Sequence, residues 1–340
     1  MAILEGKEKR TVLPLVGSSF EAGKMEEYIA QIQDRELAEI AQAEAFYFTA
    51  QAEKCVEIAK KYLKSEDLML RLSADMLCTF GNLTLGNIQE AKNAREDAYE
   101  CLKKAMRRGC SEEEKASCAF AYYVTSIFLH ITPQEDVPSL EQNIQYLPIG
   151  QRLFAISLLA HLTYLKGEYA KAQGLVQSAM ILSKDVYPIS YVYLYCMLAI
   201  CQINLKEQKN AQESIEVGWE LARKDQLLEP FIEHHGLLQG LLEVCIRKKE
   251  PDVYKKMMDG VIAFSRGWMK IHNPQMQKTV TDLLTPLEYS IAMLACRDWT
   301  NQEIAEHMGL SVNTVKHYVS DILEKLHINK RDQIKEFVNQ

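Results

Sequence analysis

The stretch Thr300-Asn301-Gln302-Glu303-Ile304-Ala305-Glu306-His307-Met308-Gly309-Leu310-Ser311-Val312-Asn313-Thr314-Val315-Lys316-His317-Tyr318-Val319 decides the fold of the C-terminal part. Thr300 followed three positions later by Glu303 is a capping box, in which each side chain satisfies a backbone N–H of a helix start. That helix turns Ile304 and Ala305 inward and stops at Gly309, a residue that enters the left-handed conformation without steric cost. Ser311 caps a further helix over residues 312–326, where Val315, Val319, Ile322 and Leu326 recur at spacings of three and four as one buried stripe. Upstream, Thr285 before Pro286 supplies a cap and a first-turn proline, and Ile291, Leu294 and Ala295 continue a helix that ends near Cys296. Two short helices joined by residues 308–311, apolar on their inner faces only, can hold the second one rigidly in a DNA major groove.

Residues 284–340 resemble the LuxR-type helix-turn-helix, which runs L-T-x-R-E, S-N-x-E-I-A, S-x-x-T-V-K-x-H-V-x-x-I-x-x-K-L and N-R. Thr285, Glu288, Asn301, Glu303, Ile304, Ala305, Ser311, Thr314, Val315, Lys316, Val319, Ile322, Lys325, Leu326 and Arg331 stand at the family's positions. Departures are Leu287 for arginine, Asp298 for glycine, Thr300 for serine, Tyr318 for histidine and Lys330 for asparagine. None breaks the fold, because Asp tolerates a left-handed terminus and Thr caps nearly as well as Ser.

The resemblance implies that Lys316, His317 and Ser320 face base edges, Lys316 toward a guanine acceptor. By the same token Asn301, Ser311, Thr314, Tyr318, Lys325 and Arg331 hold phosphates, fixing register without reading sequence. Tyr318 could instead pack partly on the core, and Lys325 could be a solvated last-turn lysine. The family dimerises through its last helix, here residues 331–339, where Ile334, Phe337 and Val338 offer an apolar contact, or else cover their own core. Acidic residues outnumber basic ones from Leu284 onward, so a single copy is expected to bind DNA modestly and a homodimer to read two half-sites.

Residues 24–272 are poor in glycine and proline and carry Leu, Ala, Glu and Lys at helical spacing, which predicts an all-α region. Segments within it repeat an apolar or aromatic residue, a short turn and a second amphipathic helix. The clearest runs from Ala160 through Tyr164, Gly167, Tyr169 and Ala172 to Ala179. Another passes Gly86, Ala91 and Ala98; a weaker one spans Phe46 to Cys55 with Ala50 at the turn, and a further pair between Gln202 and Leu221 keeps Ala211 without the glycine. These resemble tetratricopeptide repeats, so the predicted architecture is an irregular tetratricopeptide-like α-solenoid followed by the small helix-turn-helix domain. An unrelated helical bundle is the alternative. Asn273-Pro274 breaks the helical pattern and opens a polar linker over 273–283. Large LuxR-family regulators that couple an ATPase module to such repeats resemble the rest of this chain, without the ATPase module.

Residues 1–23 read as an irregular leading segment. Thr11 to Lys24 imitates a strand and a phosphate loop, but the spacing from Gly17 to Gly23 is one residue too long and Met25 replaces the hydroxyl that would bind Mg²⁺. The net charge of −7 over 340 residues argues against non-specific coating of nucleic acid. Nine scattered cysteines without a C-x-x-C pair read as buried thiols, and the eight histidines show no ligand spacing, so neither metal nor cofactor is expected. His234 and His235 read as a polar face. Tyr191, Tyr193, Tyr195 and Trp219 are candidates for a concave face, though more in keeping with a core. No nucleophile elbow or paired-carboxylate site suggests an enzyme. The start lacks a secretory segment and no apolar run reaches the ~20 residues of a membrane span, so a cytoplasmic regulator is expected. Its partners would be double-stranded DNA and an unknown small molecule, peptide or protein at the helical region. The competing function is a protein–protein interaction scaffold with an accessory DNA-binding domain.

Overall fold

The computed structural model describes residues 9–107, 109–131, 133–134, 137–272 and 283–338, the side chains of Glu336 and Val338 apart. The linker segment 273–282 therefore lies outside the described residues, as do residues 1–8 and 339–340. No strand occurs among the described residues, and no helix is long and apolar enough to cross a membrane.

After α1 (Met25–Gln31) the helices come largely in hairpins: α2 (Arg35–Phe48) with α3 (Ala52–Ala59), and α4 (Leu68–Thr84) with α5 (Ile88–Arg107). Beyond α6 (Glu112–Ile127) and the short α7 (Leu140–Asn143) follow α8 (Ile149–Leu165) with α9 (Tyr169–Met180), and α10 (Pro188–Asn204) with α11 (Gln208–Ala222). Every hairpin turns through one left-handed residue: Ala50 at φ 58°, Gly86 at 78°, Gly167 at 79° and Lys206 at 63°. In each the next N–H reaches back five residues, as Gln51 N to Phe46 O at 2.8 Å and Glu207 N to Gln202 O at 2.9 Å. Five positions past the turn stand Cys55, Ala91, Ala172 and Ala211, none more than 1% exposed. A small residue there is what lets the second helix lie close on the first. The turn geometry thus persists where the glycine is lost.

The odd one out is α6, whose start is fixed by a capping box between Ser111 and Glu114 and which leads into irregular chain rather than a partner helix. The first helices of the pairs make one inner layer, α2 to α4, α6, α8 and α10. Next come α12 (Glu229–Leu238), α13 (Leu241–Cys245) and α14 (Pro251–His272); α12 reaches α2 and α14 lies on α4 and α5. The layer therefore curls shut, and its inner face is core. There Phe154 and Tyr193 meet at 4.7 Å between ring centroids, Phe128 and Tyr193 stack at 5.6 Å, and Phe48 and Phe80 close the cluster. Tyr191, Tyr193 and Trp219 are buried, so the aromatic run contributes packing rather than an open concave face.

The leading segment enters this core. Residues 9–24 form turns and bends, with Val12, Leu13, Leu15 and Val16 buried. A buried non-helical backbone must find partners for its polar groups. Here Leu13 N donates to Ser73 Oγ, Leu15 N and Val16 N donate to the Glu44 carboxylate, Ser190 Oγ donates to Val16 O, and the Gln151 amide bonds Val12 O. Burial pushes the Glu44 carboxyl up to about 8 in spite of those two N–H donors. Before the strap, Arg10 pairs with Asp34 and Asp67, the N-cap residues of α2 and α4.

His234 and His235 depart from the sequence reading: at 1% and 2% exposed they are interior residues of α12, not a polar face. Apolar neighbours on both sides, Phe231, Ile232 and Leu238, carry that helix inside. The cysteines are buried except the half-buried Cys110, and none is paired.

Candidate nucleic-acid interface

The C-terminal unit contains α15 (Pro286–Cys296), α16 (Asn301–Met308), α17 (Val312–Lys325), a 3₁₀ turn over Arg331–Ile334 and α18 (Lys335–Val338). Capping boxes join Thr285 to Glu288 and Thr300 to Glu303. Thr314 N donates to Ser311 Oγ at 3.0 Å and starts α17. Gly309 C-caps α16 at φ 62°, and Asp298 adopts the same left-handed geometry at φ 62° between α15 and α16. Val315, Val319, Ile322 and Leu326 are buried against α15 and α16.

With that stripe inward, α17 turns Asn313, Lys316, His317 and Ser320 outward, and all four are exposed. The three residues expected to read bases share this face. Those expected to hold phosphates divide. Ser311 is exposed and Thr314 half-buried, their hydroxyls 2.7 Å apart. Tyr318 is half-buried and packs against the core. Lys325 reaches the Glu288 carboxylate at 2.6 Å, tying the end of α17 to the start of α15. Against the upward push of burial, Lys325 and the Thr285 N–H hold Glu288 below its ordinary value. Arg331 bonds the Asn301 side chain and Trp299 O, and burial lowers its affinity for the proton. In this arrangement Lys325, Arg331 and Asn301 brace the domain.

The residues expected at a dimer contact are not presented together. Ile334 is fully buried inside its own chain and offers no surface to a second copy here. Phe337 is half-buried, and the Val338 side chain lies outside the described residues.

The arrangement defines a helix-turn-helix DNA-binding protein of the kind that regulates transcription. The family model for bacterial regulatory proteins of the luxR family matches residues 282–338. The response regulator protein VraR of Staphylococcus epidermidis is 32% identical over 147 residues, covering 40% of this chain and 70% of that protein. VraR of Staphylococcus aureus is 25% identical over the same length and shares. The chain belongs to the luxR family of bacterial regulatory proteins. No solved structure matches it.

The helix-turn-helix is docked on the helical region, an arrangement the sequence reading did not reach. Ser290 Oγ donates to Glu243 Oε1 at 3.0 Å, His307 Nε2 lies 2.9 Å from Gln239 O, and Lys206 Nζ lies 3.1 Å from Glu303 Oε1. The Thr300 N–H and Lys206 together take the Glu303 carboxyl down to about 2. Arg297, at the end of α15, bonds Asn204 and Tyr164. Gly240, at φ 85°, admits Met308, whose Sδ would lie 2.3 Å from any Cβ there. Only His307 carried a hint in the sequence, a polar side chain on the same face as Ile304 and Met308.

A second polar cluster lies between α4 and α5, where Asp75, Asp97 and Cys101 offer ligand atoms within 4.8 Å of one another. Arg71 already engages Asp97 at 2.5 Å, and burial pushes the Cys101 thiol up to about 11. Arg71 thus satisfies one of the two carboxylates from within the chain.

Proposed function

We propose that this transcription regulator reads specific double-stranded DNA through Lys316, His317 and Ser320 in the major groove, under the control of a signal received by residues 24–272. The observation that carries this is the division of labour around α17. Its outer face is open, while the helices that support it, α15 and α16, are gripped by the helical region through Glu243, Gln239 and Lys206. A change in the helical region therefore reaches the orientation of the reading helix without touching it.

The repeated left-handed turns and the small residues five positions beyond them support the tetratricopeptide-like reading of that region, a fold class that serves as a receptor surface. Residues 273–283 are the proposed link to the domain at 284–340. The acidic balance favours a homodimer on two half-sites, formed in the cytoplasm. Since Ile334 faces inward, that contact would use Phe337 and its surroundings after rearrangement. The relatives' printed name, response regulator, fits a signal-dependent role.

The test starts from DNA fragments selected by this protein out of random sequence. Lys316→Ala should weaken binding to the selected fragments about 10- to 100-fold while helical content stays the same. Unchanged affinity at fixed salt would overturn the assignment.

A further inference from the structure

A cavity of about 600 Å³ lies where the helical region meets the helix-turn-helix domain. Its walls come from both sides: Phe128, His161, His234 and Trp268 from the helical region, Tyr289, Met293, Arg297 and Phe337 from the other. This volume is in the range of small-molecule sites, which are mostly apolar with a few placed polar groups. Among the described residues that line it, Arg297 is the sole Lys or Arg and Glu233 the sole Asp or Glu.

The charge is unbalanced. Arg297 bonds Tyr164 Oη at 2.7 Å and Asn204 Oδ1, both neutral partners, and a guanidinium has five N–H donors. Glu233 cannot offset it well, because the Tyr193 and Tyr47 hydroxyls occupy its oxygens and burial pushes its carboxyl up to about 7. His130, His161 and His234 do not add cations, since burial takes His130 and His234 down to about 4 and His161 well below its ordinary value. His234 donates from Nδ1 to Pro230 O, so its Nε2 is a lone-pair acceptor, and among the described residues neither that atom nor His161 Nδ1 has a partner. Buried polar atoms left unsatisfied are costly and call for an occupant or a water.

We infer that this junction cavity binds a small aromatic carboxylate, its ring against Trp268 and Phe128, its carboxylate on Arg297, and an N–H or O–H group toward His234. This rests on the reading of the helical region as the part that receives a signal, and it names the signal's chemistry. An occupant touching Trp268 and Arg297 together bridges the two regions, so its binding free energy is spent on the docked arrangement. It also meets Phe337, the residue through which a dimer contact would have to form.

Isothermal titration of the full chain with indole-3-acetate and with its uncharged analogue indole-3-acetamide tests the inference. The carboxylate should bind saturably and about 10- to 100-fold more tightly than the amide, the value of a charge-assisted hydrogen-bonded pair. Arg297→Gln should abolish that preference. Because Arg297 also supports docking, Leu165→Trp is the second variant: Leu165 stands at the rim, 44% exposed, and an indole there should block the acid while the fold and melting temperature persist. No saturable heat from indole-3-acetate up to ~10 mM, far weaker than ordinary ligand affinities, would overturn the inference. So would equal affinity for acid and amide, or a preference that survives Arg297→Gln. The titration contains no DNA, so its failure is separate from a failure of Lys316→Ala to affect DNA binding.

Discussion

Asp75 offers the sharpest test of the energetics. It is fully buried on α4, and burial together with Asp97 raises its carboxyl from 3.8 to about 8. At neutral pH the folded protein therefore holds this carboxyl protonated, while the unfolded chain ionises it. A raised folded value means that the contribution to stability is complete below pH 3.8 and is lost as pH rises toward about 8. Each pH unit in that window removes about 1.4 kcal/mol, so the ceiling between pH 4 and pH 7 is about 4 kcal/mol. The value of about 8 already contains the pull of Arg71 toward the ionised form, and relaxation with water penetration at a buried site brings the expected effect down to about 2 kcal/mol. Asp75→Asn keeps the shape and removes the titration. It should equal the parent at pH 4 and exceed it by about 2 kcal/mol at pH 7, a rise of several degrees in melting temperature. The assay is urea unfolding of both proteins at half-unit pH steps; taking the difference between the curves cancels the other buried carboxyls, Glu44 and Glu233 among them. A flat difference curve, or a variant less stable at pH 7 than at pH 4 relative to the parent, would refute the reasoning.

Gly240→Ala should loosen the grip of the helical region on α16, since a Cβ would press on Met308 at a backbone angle hostile to alanine. Faster amide exchange in α16 with unchanged exchange in α4 is the expected signature, and uniform exchange would count against it. Ala50→Gly should stabilise the protein by about 0.5–1 kcal/mol in urea unfolding, because Ala50 sits at φ 58° where two other hairpins have glycine. A loss of stability there would mean that the Ala50 methyl packs better than its half-buried position suggests. Lys325→Met should lower stability by ~0.5 kcal/mol while leaving DNA affinity within about two-fold, if Lys325 acts on Glu288 rather than on phosphate; a ten-fold loss of DNA affinity would instead support the expected phosphate contact.

The helix-turn-helix was legible almost residue by residue because its determinants are local. Caps at Thr300 and Ser311, the stop at Gly309, and the stripe from Val315 to Leu326 all act within one or two helical turns. The hairpins were legible where glycine marked the turn, and dimly where Ala50 and Lys206 adopt the same angle without it. What sequence spacing could not convey is which helix faces meet across long separations. His234 and His235 looked polar because their burial depends on the curl that brings α12 against α2 and α14, and Arg297 acquires its partners only from α8 and α10. The cavity between the two regions has no sequence signature for the same reason.

The strap at residues 12–16 changes what kind of folding unit the helical region is. An open stack of hairpins can fray from either end, each repeat answering only to its neighbours. Here the buried residues 12–16 need Glu44, Ser73, Gln151 and Ser190, so this segment waits for side chains as far as 174 residues downstream. Such long-range closure slows folding, and it welds the hairpins into one cooperative block. Removing the strap would leave a buried carboxyl, two hydroxyls and an amide facing an empty groove, and a nick near Val16 would be felt at α10 as readily as at α2.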